Sequence, residues 1–320
     1  QAIRTAVPEE LYSTSYIRDL AIEYLSDPAR QQQPFFTFVS FPDPHHPFTP
    51  PGKYWDMYKP EDMPVPANLH AHKNPPPHLQ WVRDQEKATG TGFRTDALAL
   101  DERELREAMA LTCGMMHMID DAVGEIVKTL ERTGLADNTV IVFTSDHGDY
   151  LGDHGLLLKG GLHFQSLIRV PLIIMDPRHA QPARSQALCS TIDLAPTIIA
   201  KAQLQPYSGI QGLDLSDLSR GERDTLDRDA LLIEEQTYFD NILGFDGQVR
   251  IRTLMTEGHR LSVYYGAPWG ELYDLKADPL ETHNLWDDRA AQDLKHTLMT
   301  QLVQTMMGYA DQSPWPKREA

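Results

Sequence analysis

One long apolar stripe, set among three short apolar runs, constrains this chain more than any other feature. Between residues 102 and 132, Leu105, Met109, Thr112, Met116, Ile119, Val123, Ile126 and Leu130 recur at intervals of three and four. That spacing lines one face of a helix. Asp101, with Glu104 three residues on, predicts a capping box at its start, and Gly134 stands where a helix usually stops. Residues 35–39, 140–143 and 170–175 are apolar on mostly consecutive positions. Such runs are expected of parallel strands buried on both faces. Strand, helix, strand and strand in that order predict an α/β layered domain.

Residues 42–95 break this regularity. They are rich in Pro, His and Gly, show no sustained period, and are expected to form a long irregular excursion of the functional or mobile kind. Charge density rises over residues 214–229, which reads as a connector. Beyond it, residues 230–234, 249–256 and 260–265 predict antiparallel strands, with turns at Asp246-Gly247 and Glu257-Gly258. A last helix is expected over 290–307. The division that follows is a layered portion, 1–215, and a smaller α+β subdomain, 216–320. No internal repeat is present.

The formal net charge of −17 argues against a broad nucleic-acid surface, since no basic patch offsets it. No run approaches the roughly 18 apolar residues that a membrane helix needs. Cys113 and Cys189 are too few for a disulfide framework. A start at Gln1 rather than Met is what a processed or truncated product would show, so the lack of a leader leaves the compartment open, cytoplasmic or exported. Oligomeric state is equally open.

Three segments carry chemistry. Thr144-Ser145-Asp146-His147-Gly148 follows the run 140–143 directly. Ligands of open α/β sheets bind beyond the carboxyl ends of strands. There Asp146 and His147 can reach one metal, with the carboxylate favouring Ca²⁺, Mg²⁺ or Mn²⁺. The plainer alternative is a strand-end turn with Asp146 as a helix cap. Gly152-Asp153-His154-Gly155 then leads to Lys159-Gly160-Gly161, where glycines let a substrate oxyanion approach the ammonium, unless Lys159 is an ordinary solvated lysine. Phe41-Pro42-Asp43-Pro44-His45-His46-Pro47-Phe48 stands just past the run 35–39. Its prolines fix where two imidazoles point, so one ring can bind an oxyanion or protonate a leaving oxygen; otherwise it is a rigid surface loop.

With these segments the sequence resembles the type I sulfatases of the alkaline-phosphatase-like superfamily. Asp146-His147-Gly148 marks the superfamily. The Phe-x-x-Pro-His-x-Pro-Phe pattern over Phe41 to Phe48 makes His45 the family histidine, and Lys159 stands thirteen residues after the metal Asp. Arg169-Val170-Pro171-Leu172, Ile192-Asp193-Leu194-Ala195-Pro196-Thr197 and Glu271-Leu272-Tyr273-Asp274-Leu275 are similar to family segments, the last with Asp278-Pro279, Glu281 and Asn284-Leu285. The resemblance covers nearly the whole chain. It implies an alkaline-phosphatase-like α/β/α sandwich, incomplete here, with a small C-terminal antiparallel sheet plus helix. It also implies a sulfuric ester hydrolase acting on a sulfated small molecule or glycan. Asp146 and His147 would help hold one divalent cation, above all Ca²⁺, with Mg²⁺ or Mn²⁺ as alternatives. Lys159 and His45 would bind the sulfate, His45 assisting the leaving group, and a formylglycine made from Cys or Ser would attack sulfur.

The resemblance further places a paired-Asp metal motif and a Cys/Ser-x-Pro-x-Arg nucleophile motif upstream of these elements. Neither is read here, so the N-terminal third of the enzyme is expected to be missing and this chain alone to be inactive. Cys113 and Cys189 read as structural, and Asp120-Asp121 as a solvated helix face. His154 and His163, close to Lys159 in sequence, are further substrate-binding candidates against a role in orienting the loop. Asp149 reads as solvated or locally hydrogen-bonded. His70, His72 and His78 read as surface-loop residues, in a stretch that with Trp55, Tyr58 and Trp81 could form a specificity lid. Two rival functions remain: a phosphodiester or phosphonate monoester hydrolase of the same superfamily, and a non-catalytic fragment or binding protein.

Overall fold

The stripe folds as one helix, and much of the first half of the chain packs against it. The computed structural model describes residues 4–72, 75–89, 97–99, 101–179, 181–240 and 243–310. Its elements in order are α1 (Ser13–Ser26), α2 (Pro77–Thr89), β1 (Ala97–Ala99), α3 (Glu102–Arg132), β2 (Ile141–Thr144), β3 (Leu156–Leu158), α4 (Gln165–Ile168), β4 (Leu172–Met175), α5 (Leu194–Lys201), α6 (Ser216–Ser219), β5 (Ala230–Asp240), β6 (Gln248–Thr256), β7 (His259–Tyr264), β8 (Gly270–Asp274) and α7 (Gln292–Gly308).

Helix α3 begins with the predicted capping box, Glu104 N–H donating to Asp101 Oδ1 at 2.8 Å. It gives way to Gly134 at φ +71°, a conformation that glycine adopts without strain. Leu105, Met109, Thr112 and Leu130 are buried as the stripe requires, but Met116 is 44% exposed, and Met115 and Met118 are buried in its place. The cause is two different covers. Met63, Leu69, Leu157 and Leu158 pack on the N-terminal half, whereas Leu25 of α1 and Leu135 pack on the C-terminal half. The buried face therefore turns along the helix.

Two strand expectations change. Residues 35–39 are extended but pair with no described strand, and Phe36 and Phe38 are exposed; a strand needs a hydrogen-bonded neighbour, and none of the described residues supplies one. Strands β2 and β4 do pair, but antiparallel, Thr144 opposite Leu172 and Ile141 opposite Met175. A parallel pair needs a crossover that returns the chain to the strand's start. Between them the chain passes through the short β3 and the four-residue α4 with no long crossover helix, and it enters β4 at the end where β2 stops. β1 and β3 form a second short antiparallel pair.

The C-terminal sheet is antiparallel as predicted, in the order β5-β6-β7-β8, with β8 an additional strand. Alternation along the strands feeds two cores. Leu254, Leu261 and Leu272 face Leu298 and Leu302 of α7. Val249, Ile251, Tyr264 and Tyr273 face Leu79 and Val82 of α2, together with Tyr150, Leu162 and Phe164. The excursion of residues 42–95 is thus not wholly irregular. Helix α2 was hidden because Pro75 and Pro76 precede it and Pro77 opens it, a position where proline is tolerated. Trp81 packs at this core and Tyr58 at the cover of α3, so neither stands free as a lid.

One face of the β2–β4 pair is uncovered. Ile173 is 60% exposed, Phe38 81% and Phe36 69%, with Phe143 opposite Ile173 in register. Exposed apolar side chains of this kind favour association. The chain is expected to self-associate at tens of micromolar, and Phe38→Lys with Ile173→Lys to return it toward monomer in sedimentation velocity. A wild-type chain that sediments as a monomer would contradict this.

Candidate active site

Strand β2 delivers the Asp146-His147-Gly148 turn to an open edge. Asp146 Oδ1 accepts the His147 N–H at 2.9 Å, and the Ser145 hydroxyl donates to His147 O at 2.9 Å. His147 Nδ1 lies 2.7 Å from Gly148 O. A carbonyl only accepts, so Nδ1 carries the proton and Nε2 keeps its lone pair. That Nε2 stands 3.7 Å from Asp146 Oδ2, and both side chains are exposed. Burial works against ionisation of Asp146, but His147 and the hydrogen bonds outweigh it and hold the carboxyl below its ordinary range. Gly148 is obligatory, because a Cβ there would come 1.9 Å from Ser166 O. A carboxylate oxygen and an imidazole nitrogen facing one space suit two positions of a divalent cation's shell. Among the described residues no group of three or more His, Cys, Asp or Glu side chains is placed to hold a metal.

Lys159 acts electrostatically on Asp149, the residue just after this turn. Asp149 Oδ1 accepts Leu151 N–H at 2.9 Å and Leu158 N–H at 3.0 Å, so the reading of Asp149 as locally hydrogen-bonded describes its contacts. Burial pushes its carboxyl up, opposed by those two amides and by the nearby charges of Lys159 and His147. Lys159 and His147 are therefore both electrostatic neighbours of one carboxylate.

The His45 loop is anchored through Asp43, which accepts from Thr14 Oγ1 at 2.5 Å and Tyr12 Oη at 3.3 Å. Burial first, then the Asp43 charge, pushes the Tyr12 phenol up to about 12. His45 Nδ1 lies 2.6 Å from His46 O, so its Nε2 is left outward, as in His147. The two exposed rings stack with centroids 4.1 Å apart. Phe35 and Ile141, at the start of β2, both pack on the Leu25–Leu130–Leu135 cluster, whereas Pro50 has reached Gly114, about four turns back along α3 from Leu130. The chain between them runs with β2, which carries His45 toward the end that bears Asp146.

His154 and His163 occupy closed surroundings. His154 is buried, stacked on Phe164 at 3.5 Å, with Nδ1 2.6 Å from His72 Nε2. His163 is buried too, Nδ1 2.9 Å from Thr253 Oγ1 and Nε2 3.0 Å from Glu235 Oε2. Both rings thus spend their polar atoms on protein partners. The surface-loop reading of His72 and His78 is corrected: both are buried, and only His70 is exposed. The segment leading into α2 folds under the C-terminal sheet, where His78 stacks on Trp269 and meets Glu271 at 2.9 Å.

The family-like C-terminal residues are fasteners. Arg260, fully buried, pairs with both Glu271 and Glu281. Asn284 bridges Leu272 N–H and Gly270 O. Asp193 is buried against Arg228 at 2.6 Å. Asp121 accepts from Tyr54 Oη at 2.7 Å at a partly exposed helix face.

A Ser-x-Pro-x-Arg spacing does occur, at Ser26, Pro28 and Arg30, which corrects the expectation that the chain lacks the pattern. Ser26 is exposed where α1 ends, Asp27 caps the next turn through Ala29 N–H, and Arg30 lies over the Tyr24 ring. Gln31 reaches Thr133 O, and Leu25 packs with Leu135 and Ile141. This places Ser26 at the opposite end of β2 from Asp146. Cys113 and Cys189 are free thiols whose pKa values burial pushes up, which disfavours thiolate chemistry at either.

The sulfatase family model matches residues 4–204. The chain belongs to the sulfatase family. A second family model, N-sulphoglucosamine sulphohydrolase, C-terminal, matches residues 152–307. Among curated relatives, the chain is 30% identical to the multifunctional alkaline phosphatase superfamily protein PehA of Trinickia caryophylli, over 96% of this chain and 62% of that protein. It is 27% identical to an arylsulfatase of Clostridium perfringens, over 95% of this chain and 60% of the relative. The phosphonate monoester hydrolase of Agrobacterium radiobacter superposes with a TM-score of 0.80 at 25% identity, covering 98% of this chain and 64% of that one. The fold is alkaline-phosphatase-like. The chain spans about three fifths of the length of the relatives it matches.

The buried imidazole pair makes the family fold acid-sensitive here. Burial, then the Arg83 charge, pulls His72 down to about 4; burial, then His72 and Arg260, pulls His154 to about 2. Glu271 opposes both shifts, as does Asp278 at His72, and His78 adds to the lowering at His72. Unfolded histidine titrates near 6.5, so the unfolded chain binds more protons as pH falls below that value, and stability is lost. Two rings together should cost roughly 3 kcal/mol between pH 7.5 and 5.5, lowering the thermal midpoint. His154→Phe should flatten that dependence in calorimetry; an unchanged slope would refute the assignment.

Proposed function

We propose that this chain is the metal- and anion-binding part of a sulfuric ester hydrolase acting on a sulfated small molecule or glycan. The observation that carries it is that His147, which with Asp146 makes the turn after β2, and Lys159 both act electrostatically on the same carboxylate, Asp149. A tetrahedral anion between a cation and an ammonium is stabilised as charge builds in the transition state. The arylsulfatase among the relatives supports sulfate as the anion.

Asp146 Oδ2 and His147 Nε2 would supply two ligands to one divalent cation, Ca²⁺ first, with Mg²⁺ or Mn²⁺ as alternatives. Such a cation, when bound, neutralises sulfate oxygens and lowers the pKa of an oxygen nucleophile. Lys159 binds a further sulfate oxygen. His45 keeps Nδ1 on His46 O and turns Nε2 outward, so Nε2 is the atom that would exchange a proton with the leaving oxygen. His154 and His163, closed in by protein partners, hold the segments on either side of Lys159. The nucleophile, a formylglycine from Cys or Ser, is assigned to a part of the gene product outside this chain, since Ser26, Cys113 and Cys189 are all badly placed for it. This chain by itself is inactive.

In the full gene product, aryl sulfate should turn over faster than aryl phosphodiester, and Lys159→Ala should lower kcat/KM by roughly a hundredfold. Faster phosphodiester turnover would transfer the assignment to the phosphonate and phosphodiester branch. The isolated chain should bind Ca²⁺ only weakly, because two donors fall short of the roughly six or more that a hard cation takes. Tight binding in calorimetry would contradict the proposed division of ligands.

A further inference from the structure

The backbone on both sides of Lys159 is held by one dipeptide, Asp149-Tyr150, which follows directly on the Asp146-His147-Gly148 turn. Ahead of the lysine, Asp149 Oδ1 accepts Leu158 N–H at 3.0 Å, while Tyr150 N–H donates to Leu158 O at 2.9 Å. Leu158 is thereby kept at φ +70°, a region that a leucine occupies only when its surroundings over-determine it. Behind the lysine, the buried Tyr150 hydroxyl lies 2.9 Å from Gly160 O and 3.0 Å from Leu162 O, and accepts Leu162 N–H at 3.2 Å. Lys159 is the residue between these two fixed points.

We propose that Asp149 and Tyr150 are positioning residues that aim the Lys159 ammonium at the substrate anion by clamping the backbone at Leu158 and Gly160. The proposal rests on the reading above that Lys159 meets that anion. One five-residue stretch, 146–150, then carries both the cation donors and the clamp, so the spacing between cation and ammonium is set by a single rigid unit. Displacement of a reacting group by about 1 Å can cost a hundredfold in rate, which is the leverage such a clamp has.

A double-mutant cycle tests this in the full gene product, with kcat/KM for 4-nitrophenyl sulfate as readout. Tyr150→Phe keeps the packed ring and removes the hydroxyl; it should lower kcat/KM roughly ten- to hundredfold. In a Lys159→Ala background the same change should add less than about threefold, because the clamp has nothing left to aim. A merely structural role would give additive losses and overturn the proposal, as would full activity of Tyr150→Phe beside an impaired Lys159→Ala. An unimpaired Lys159→Ala overturns the reading of the lysine as well as the clamp. If Tyr150→Phe does not fold, Asp149 carries the test. Asp149→Asn retains an acceptor for Leu158 N–H and should keep roughly tenfold more activity than Asp149→Ala, and equal losses would overturn the proposal.

Discussion

The C-terminal half depends on one buried cation. Arg260 lies in the sheet interior with Glu271 and Glu281 on its guanidinium, and the Phe164 and Tyr273 rings stand 5.2 and 4.7 Å from its centre. Taken one at a time these partners would not justify burying a charge; together they satisfy the fork and neutralise it. Burial opposes ionisation of Glu271, yet Arg260 and His78 hold its carboxyl well below the ordinary range. Removing Arg260 would leave two carboxylates uncompensated in a closed core, and breaking a buried pair in this way typically costs about 3–5 kcal/mol.

That ion cluster reaches the site through the chain itself. Glu281 accepts the Gln165 N–H at 2.8 Å, which fixes the start of α4. Phe164, one residue earlier, is stacked on His154 and lies against Arg260. His163 is tied through Thr253 and Ser262 to Arg260 again, by contacts of 2.9, 2.6 and 2.8 Å. The segment that follows Lys159 is thus moored to the C-terminal sheet at three successive residues. The family-like residues Glu271, Glu281 and Asn284 thus serve as structure, and none of them lies in the Asp146–Gly148 turn.

How far the sequence could be read follows from the same division. Helix α3 was legible because its caps and period are local, and β6 and β7 because alternation and turn residues are local too. Met116 was misread because two different covers rotate the buried face, and a one-dimensional period does not know its neighbours. The direction of β4 was misread because apolar runs say that strands are buried but not how the chain returns. His72, His78, His154 and His163 were the hardest, since a histidine in a Pro-rich or Gly-rich stretch looks the same whether its partner is water or a glutamate 72 residues away. The Ser26 spacing shows the converse. A pattern can be met in letters while helix α1 and the turn after it carry its serine to the wrong end of β2.

The ring orientations of His45 and His147 have a physical reason of their own. Each ring is fixed by the carbonyl of the very next residue, Nδ1 at 2.6 Å from His46 O and 2.7 Å from Gly148 O. Such a contact needs no distant partner, so the tautomer and the outward direction of Nε2 are properties of the dipeptide and its flanking Pro or Gly. The site therefore joins two kinds of order. The imidazoles proposed for metal and leaving group are set locally, and the ammonium proposed for the anion is set by the proposed clamp from the Asp146–Gly148 turn together with a mooring to the C-terminal sheet. Only the second kind depends on the whole fold, and Lys159 is the group through which distant changes in the C-terminal sheet would reach the chemistry.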